Sequence, residues 1–265
     1  MKKHLQIYKL NDKSDSYHID KGILPNISFR MLIIGKSQLS GKSNLVGNLI
    51  LLKEFYRDDF EGDNVFVISP SLDTDPKLRT IIEQKEIPSQ NTYDTYDEDI
   101  LKGIYSLIED EFTEAVENKE KPKHYLWIID DCSYSGIFKA KNFGILKKAF
   151  SNGRHINLSC IITAQKSTDI PTACFENSSC GFFFSCSDRQ LDKIENDMNY
   201  TSTRKIFKSK FRSVTKEPHS FMLVNFSNPV ESRYLDKDFN PIVFDPEGEA
   251  DDISTRTPAG PLSGQ

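Results

Sequence analysis

Apolar residues in this chain come in two patterns. Residues 29–34, 64–70, 125–129, 158–163 and 181–185 carry short, nearly unbroken apolar runs, which predict strands buried on both faces. Between them the apolar positions recur at helical spacing. A helix is expected from Lys42 to about residue 55, and a second to about residue 84, with Asp75 as its cap and Pro76 in its first turn. Over 96–119, Ile100, Ile104, Leu107, Ile108 and Phe112 recur at three- and four-residue steps, predicting a long amphipathic helix with a solvated acidic face. A helix over 142–152 stops at Gly153, and polar helices follow around 187–197 and 202–210. Residues 88–94 read as loop, and 220–225 as a last strand or one arm of a hairpin. Alternating strands and helices imply an α/β body over 28–244, a mostly parallel sheet with helices on both faces. Residues 1–27 predict one or two peripheral strands with turns at Asn11-Asp12 and Lys21-Gly22. The Pro-, Gly-, Ser- and acid-rich residues 245–265 predict a disordered tail.

Composition narrows the classes. A chain of 265 residues suffices for one large α/β domain, with or without a modest appendage. With 37% hydrophobic and 28% charged residues, it has the composition of a soluble globular protein. A net charge of −5 gives no bulk attraction to nucleic acid, so any such site must be a local patch. No apolar run approaches the roughly 20 residues of a membrane helix, and residues 1–8 lack the apolar core of a signal peptide. The cysteines, Cys132, Cys160, Cys174, Cys180 and Cys186, are odd in number and form no Cys-x-x-Cys, so reduced, packed thiols in an intracellular setting are expected. Their spacing with His155 or His219 does not suit a zinc finger.

The chemistry starts where the first strand ends. Gly35-Lys36-Ser37-Gln38-Leu39-Ser40-Gly41-Lys42-Ser43-Asn44 joins that strand to a helix and closes on Gly-Lys-Ser. This is the pattern of a phosphate-binding loop: backbone N–H groups and the helix N-terminus face the phosphates, the lysine reaches the β and γ oxygens, and the serine hydroxyl takes Mg2+. The five residues between Gly35 and Gly41 are one more than the usual spacing. Either the loop bulges by a residue or Lys36 stands where the first glycine is usual. The third strand ends in Asp130-Asp131, and ligands of α/β sheets gather at carboxyl strand ends. The first acid suits a Mg2+ shell with Ser43, and the second is placed to orient or polarise an attacking water. Gln165 ends the next strand, where its amide either reaches the phosphate or water or caps the following helix. Arg154 precedes that strand, at the far end of the sheet. It is either a surface arginine or a group supplied to a neighbour's nucleotide in a ring. Residues 201–216 hold Arg204, Lys205, Lys208, Lys210, Arg212 and Lys216 without an acid, with Phe207 and Phe211 interleaved. That stripe is either a solvated face or a contact for the nucleic-acid backbone.

Three segments together resemble a known family: 25–35 leading into the loop, Asp130-Asp131, and 150–159 with its Gly153-Arg154-His155 leading to Gln165. Over roughly 25–225 the chain resembles the genome-packaging ATPases of the FtsK–HerA superfamily, those of large eukaryotic DNA viruses and virophages above all. It departs from them in the longer loop and in Asp131, where many relatives carry Glu. The resemblance implies a RecA-like P-loop NTPase, a Mg2+-dependent ATP motor forming a homo-oligomeric ring of five or six. Such a motor drives double-stranded DNA into a preformed capsid at a vertex, without a membrane, in the host cytoplasm (a virus factory) or the virion. By position it assigns Lys42 and Ser43 to phosphate and Mg2+, Asp130 and Asp131 to metal and water, Gln165 to γ-phosphate sensing, and Arg154 to the finger in trans. Other readings of the same residues are a HerA- or conjugation-type DNA pump, a small-molecule P-loop kinase, and a nucleotide-binding structural subunit. A GTP switch would need Asn-Lys-x-Asp, and 165–169 has the wrong spacing.

Overall fold

The computed structural model describes residues 19–36, 40–132 and 144–244. The peripheral strands expected before residue 19, Ser37, Gln38 and Leu39 of the loop, the start of the helix expected at 142, and the tail after 244 lie outside these residues. Its elements in chain order are β1 (Arg30–Ile34), α1 (Lys42–Leu51), β2 (Val65–Ile68), α2 (Pro76–Gln84), β3 (Thr92–Tyr93), α3 (Glu98–Glu117), β4 (Tyr125–Ile129), α4 (Gly144–Asn152), β5 (Leu158–Ala164), α5 (Thr172–Asn177), β6 (Cys180–Phe184), α6 (Asp188–Met198), α7 (Arg204–Val214), β7 (Phe221–Asn225) and β8 (Tyr234–Leu235). One eight-stranded sheet takes them in the order β3-β2-β4-β5-β1-β6-β7-β8. The strands from β3 to β6 are parallel, while β7 and β8 add antiparallel. The expected mostly parallel sheet is therefore the observed one, and 220–225 is a hairpin arm.

Successive strand residues point to opposite faces, so each apolar run feeds two cores. Leu32, Ile34, Trp127, Ile129 and Ile162 pack with helices α3 to α7 on one side. Met31, Ile33, Leu126, Ile128 and Ile161 pack with α1 and α2 on the other. The order of strands places β5 between β1 and β4, so that Thr163 pairs with Ile33 and Ile129 with Ile162. Their carboxyl ends, with the loop after β1, the acids after β4 and Gln165 after β5, thus lie side by side.

Three local expectations are corrected. Helix α1 ends at Leu51, not near 55, because Leu52 turns extended and Tyr56 and Phe60 fold back under β1. The Tyr56 ring packs 4.9 Å from that of Phe29, and its hydroxyl donates to the Pro25 carbonyl at 2.7 Å. In α3 the buried stripe is Leu101, Ile104, Tyr105 and Ile108, while Ile100 and Leu107 are 42% and 50% exposed. The face is rotated because Tyr105 joins it, edge-on to Trp127 at 6.2 Å. Residues 88–94 are not all loop, since β3 pairs with Val67 and Ile68. The cysteines are free, as expected, and all but Cys186 are buried. Among the described residues no helix is long and apolar enough to cross a membrane.

Candidate nucleotide site

The loop after β1 is pinned at both ends. The Gly35 amide donates to the Ala164 carbonyl of β5 at 3.0 Å. A Cβ at Gly35 would lie 2.5 Å from Cβ of Ser40 and 2.9 Å from the Phe184 side chain, so the close approach that demands a glycine is here and not at the exposed Lys36. The Ser40 hydroxyl donates to the Lys36 carbonyl at 2.7 Å. Gly41 sits at φ 78°, a left-handed geometry that opens α1. No side chain caps α1 and no acid lies in its first turn, which leaves backbone donors and a positive dipole end for an anion. Lys42 is only 8% exposed, and its Nζ donates to the Gly35 carbonyl at 2.7 Å. Burial pulls the Lys42 ammonium below its ordinary pKa, while Asp131 and Asp130 pull it back.

The acids are held from three strands. The Asp130 amide donates to the Ile68 carbonyl at 2.9 Å, extending the β2–β4 ladder. One carboxylate oxygen of Asp130 accepts from the Thr163 hydroxyl at 2.6 Å and the other from Ser69 Oγ at 3.1 Å. Burial raises the Asp130 pKa against the pull of those two bonds. Asp131 turns into the left-handed region, φ 46°, and its amide donates to Thr163 Oγ1 at 3.1 Å. Gln165 Nε2 donates to Asp131 Oδ2 at 2.6 Å, whereas Oδ1 is buried without a hydrogen-bond partner. An orphaned carboxylate oxygen costs about 1–3 kcal/mol or more unless a further group satisfies it. The hard oxygen donors that line the cleft, the Ser43 hydroxyl and the two carboxylates, suit Mg2+, which binds through one or two carboxylates and substrate phosphates. Among the described residues no cluster of three His, Cys, Asp or Glu side chains suited to a metal occurs.

Lys42, Ser43, Asn44, Asp130 and Asp131 line one open cleft of about 590 Å³. A second of about 290 Å³, less polar, adjoins it; Ser40 and His219 line both. Lys36 lines the smaller one, with Phe184, Cys186 and Pro218. His219 lies at φ 63° with Nδ1 3.2 Å from where a Gly41 Cβ would stand.

The remaining candidates lie elsewhere. Arg154 is exposed in the turn 153–156 at the amino end of β5, opposite Gln165, and its Nε donates to His155 Nε2 at 3.4 Å. Burial lowers the pKa of Arg30 at the start of β1, Cys180 opposes, and the charge of Arg154 adds to the lowering. In α7, Arg204 pairs with Glu195 at 3.3 Å, Arg212 with Asp188 at 2.8 Å, and Lys208 with Asp192, all from α6. Phe207 and Phe211 are buried, so the interleaved aromatics are core and not a stacking surface, a correction to the stripe as read from sequence.

Sequence reasoning gave no role in the site to Ser69, Thr163, Asp75 or His219. Thr163 carried a signal: a lone hydroxyl near the carboxyl end of a buried run needs a partner there. Nothing local marked His219, which reaches Gly41 only through the β6–β7 pairing.

The family model described as Poxvirus A32 protein matches residues 16–225. No curated protein sequence matches the chain. Among solved structures, the genome packaging NTPase B204 from Sulfolobus turreted icosahedral virus 2, in complex with AMP, is similar at a TM-score of 0.54 and 15% identity, over 82% of this chain and 98% of that one. EssC (ATPases 2 and 3) from Geobacillus thermodenitrificans matches at 0.51 and 13% identity, over 75% of this chain and 38% of its own. The pCW3 conjugation coupling protein TcpA matches at 0.51 and 11% identity, over 76% and 58%. At such identities these likenesses speak for the fold.

Proposed function

The chain belongs to the poxvirus A32 protein family and is an ATPase of the FtsK–HerA type, and from that premise we propose that it hydrolyses ATP with Mg2+, as a homo-oligomeric ring of five or six, to drive double-stranded DNA into a capsid. The observation that carries the reading is the single cleft shared by Lys42 and Ser43 from one segment and Asp130 and Asp131 from another. The triphosphate fits against the N-terminus of α1, with Lys42 leaving the Gly35 carbonyl for the β and γ oxygens. The nucleoside fits the smaller cleft beyond Ser40 and His219. Ser43 and Asp130 would hold the metal, which when bound draws charge off the phosphate oxygens. Asp131, its second oxygen tied to Gln165, presents its free oxygen to orient water and accept a proton. Arg154 points away from its own cleft and is assigned to a neighbour's, at the capsid vertex in the host cytoplasm or virion.

A conjugation- or secretion-type pump uses the same chemistry, and family membership favours packaging. The basic stripe is a weaker DNA contact than its sequence implies, because Arg204, Lys208 and Arg212 are paired with α6. Lys210 leads the remaining candidates. The test is ATP turnover with and without double-stranded DNA across a salt series. DNA should stimulate turnover, and the DNA concentration for half-stimulation should rise with salt, each phosphate contact adding about 0.9 to its log–log slope. Turnover indifferent to DNA at every salt concentration overturns translocation and returns the kinase reading.

A further inference from the structure

We propose that Asp75 is a metal-positioning carboxylate of the nucleotide site, set there by its place as the cap of α2. The inference rests on the ATPase reading above. Its basis is a division of labour between the two oxygens of one side chain. Oδ1 accepts from the Lys77 amide at 2.8 Å, which is the capping bond that the Asp-Pro pair predicts. Oδ2 accepts from the Ser43 hydroxyl at 3.2 Å, a bond across 32 residues that capping does not require. Asp75 lines the same cleft as Lys42, Asp130 and Asp131.

A serine hydroxyl has one proton and two lone pairs. With its proton given to Asp75, the Ser43 oxygen turns its lone pairs outward, the state in which it can ligate a cation. The acceptor is fixed by backbone: the Asp75 amide donates to the Ser71 carbonyl at 2.9 Å, and its own carbonyl accepts from Arg79 at 3.1 Å. Pro76 sets the first turn of the helix. No Lys or Arg forms an ion pair with Asp75 among the described residues, so its negative charge faces the cleft. That charge acts with opposite sign in two conditions. Without metal it repels a triphosphate; with Mg2+ it attracts the cation and holds its serine ligand in place.

Asp75→Asn separates these effects from the cap, because asparagine caps a helix as well as aspartate does. Nucleotide binding is read by fluorescence of a ribose-labelled ATP analogue on the full chain, once in excess chelator and once across a Mg2+ titration. The variant should keep its thermal midpoint, bind nucleotide more tightly in chelator, and need about 10-fold more Mg2+ for half-saturation, the loss usual for an outer-shell partner. Equal affinity to wild type in both conditions, or equal weakening in both, would reduce Asp75 to a helix cap and overturn the proposal. If the wild-type chain binds no nucleotide in either condition, the ATPase reading has failed and not this one alone.

Discussion

The two ends of the parallel sheet are built oppositely. At the carboxyl end the paired acids and the lysine of the candidate site are held by neighbouring groups, with one oxygen of Asp131 left over. Ser69, Thr163 and Gln165, from the ends of β2, β5 and the loop after it, hold Asp130 and Asp131, and Lys42 is parked on Gly35. At the amino end Arg154 stands exposed, bonded among the described residues to its neighbour His155. Among the described residues, one end is an anion site with no arginine in its lining, and the other offers an exposed arginine. Electrostatic catalysis depends on donors already in place, and a head-to-tail arrangement around a closed ring brings the second end of one copy to the first end of the next. The contrast is what the proposed ring would use: the acids and the lysine come from one chain, and the arginine they lack would come from the next.

The largest predicted effect breaks that complementarity. Arg154→Ala should leave ATP affinity unchanged and lower turnover by about 10³-fold or more, the range of an arginine finger. Lys42→Ala should lose nucleotide binding. Mixed in one ring, the two variants restore junctions where an intact Lys42 cleft faces an intact Arg154, so turnover should recover in part. No recovery on mixing would make Arg154 a surface residue and the two ends independent.

How far this contrast could be read from sequence depends on distance along the chain. The runs at 125–129 and 158–163 mark themselves as strands because burial on both faces needs no outside information. The loop and Asp130-Asp131 are equally local. Asp75 was legible as a cap from Asp-Pro, yet its bond to Ser43 exists only once α2 packs beside α1. Phase errors have a similar origin. Tyr105 decides which face of α3 is buried, and a tyrosine does not announce whether it is core. The stripe on α7 looked free because its acids sit on another helix, and β3 escaped notice because two residues carry no period.

A second prediction probes the tied-down end itself. Thr163→Val removes the donor to Asp130 and the acceptor for the Asp131 amide, and should cost about 1–3 kcal/mol of stability. The loss should depend on pH. The folded-state pKa of Asp130 is raised above its unfolded value, so its contribution to stability is fully present below the unfolded value and is lost as pH rises through the folded one. Thr163 opposes that raise by bonding the charged form, so the valine variant should lose least where Asp130 is protonated and most at neutral pH. Urea unfolding at about pH 4 and pH 7.5 checks this; a pH-independent loss would show that packing, not the carboxylate bond, is what Thr163 supplies.

The smallest effect concerns the seam between the two clefts at the carboxyl end. His219 lies against Gly41 and borders both, so a ring there can lie under a nucleobase while the phosphates occupy the larger cleft. Stacking of a base on an aromatic side chain is worth about 1–3 kcal/mol, and for an exposed ring the low end, about fivefold in affinity, is the fitting expectation. His219→Ala should therefore weaken ATP by that factor and leave inorganic tripolyphosphate unaffected, since only the first has a base to stack. Both affinities come from one calorimetric comparison. Equal losses for the two ligands would mean that His219 props the Gly41 turn, and the nucleoside would then have to be sought outside the smaller cleft.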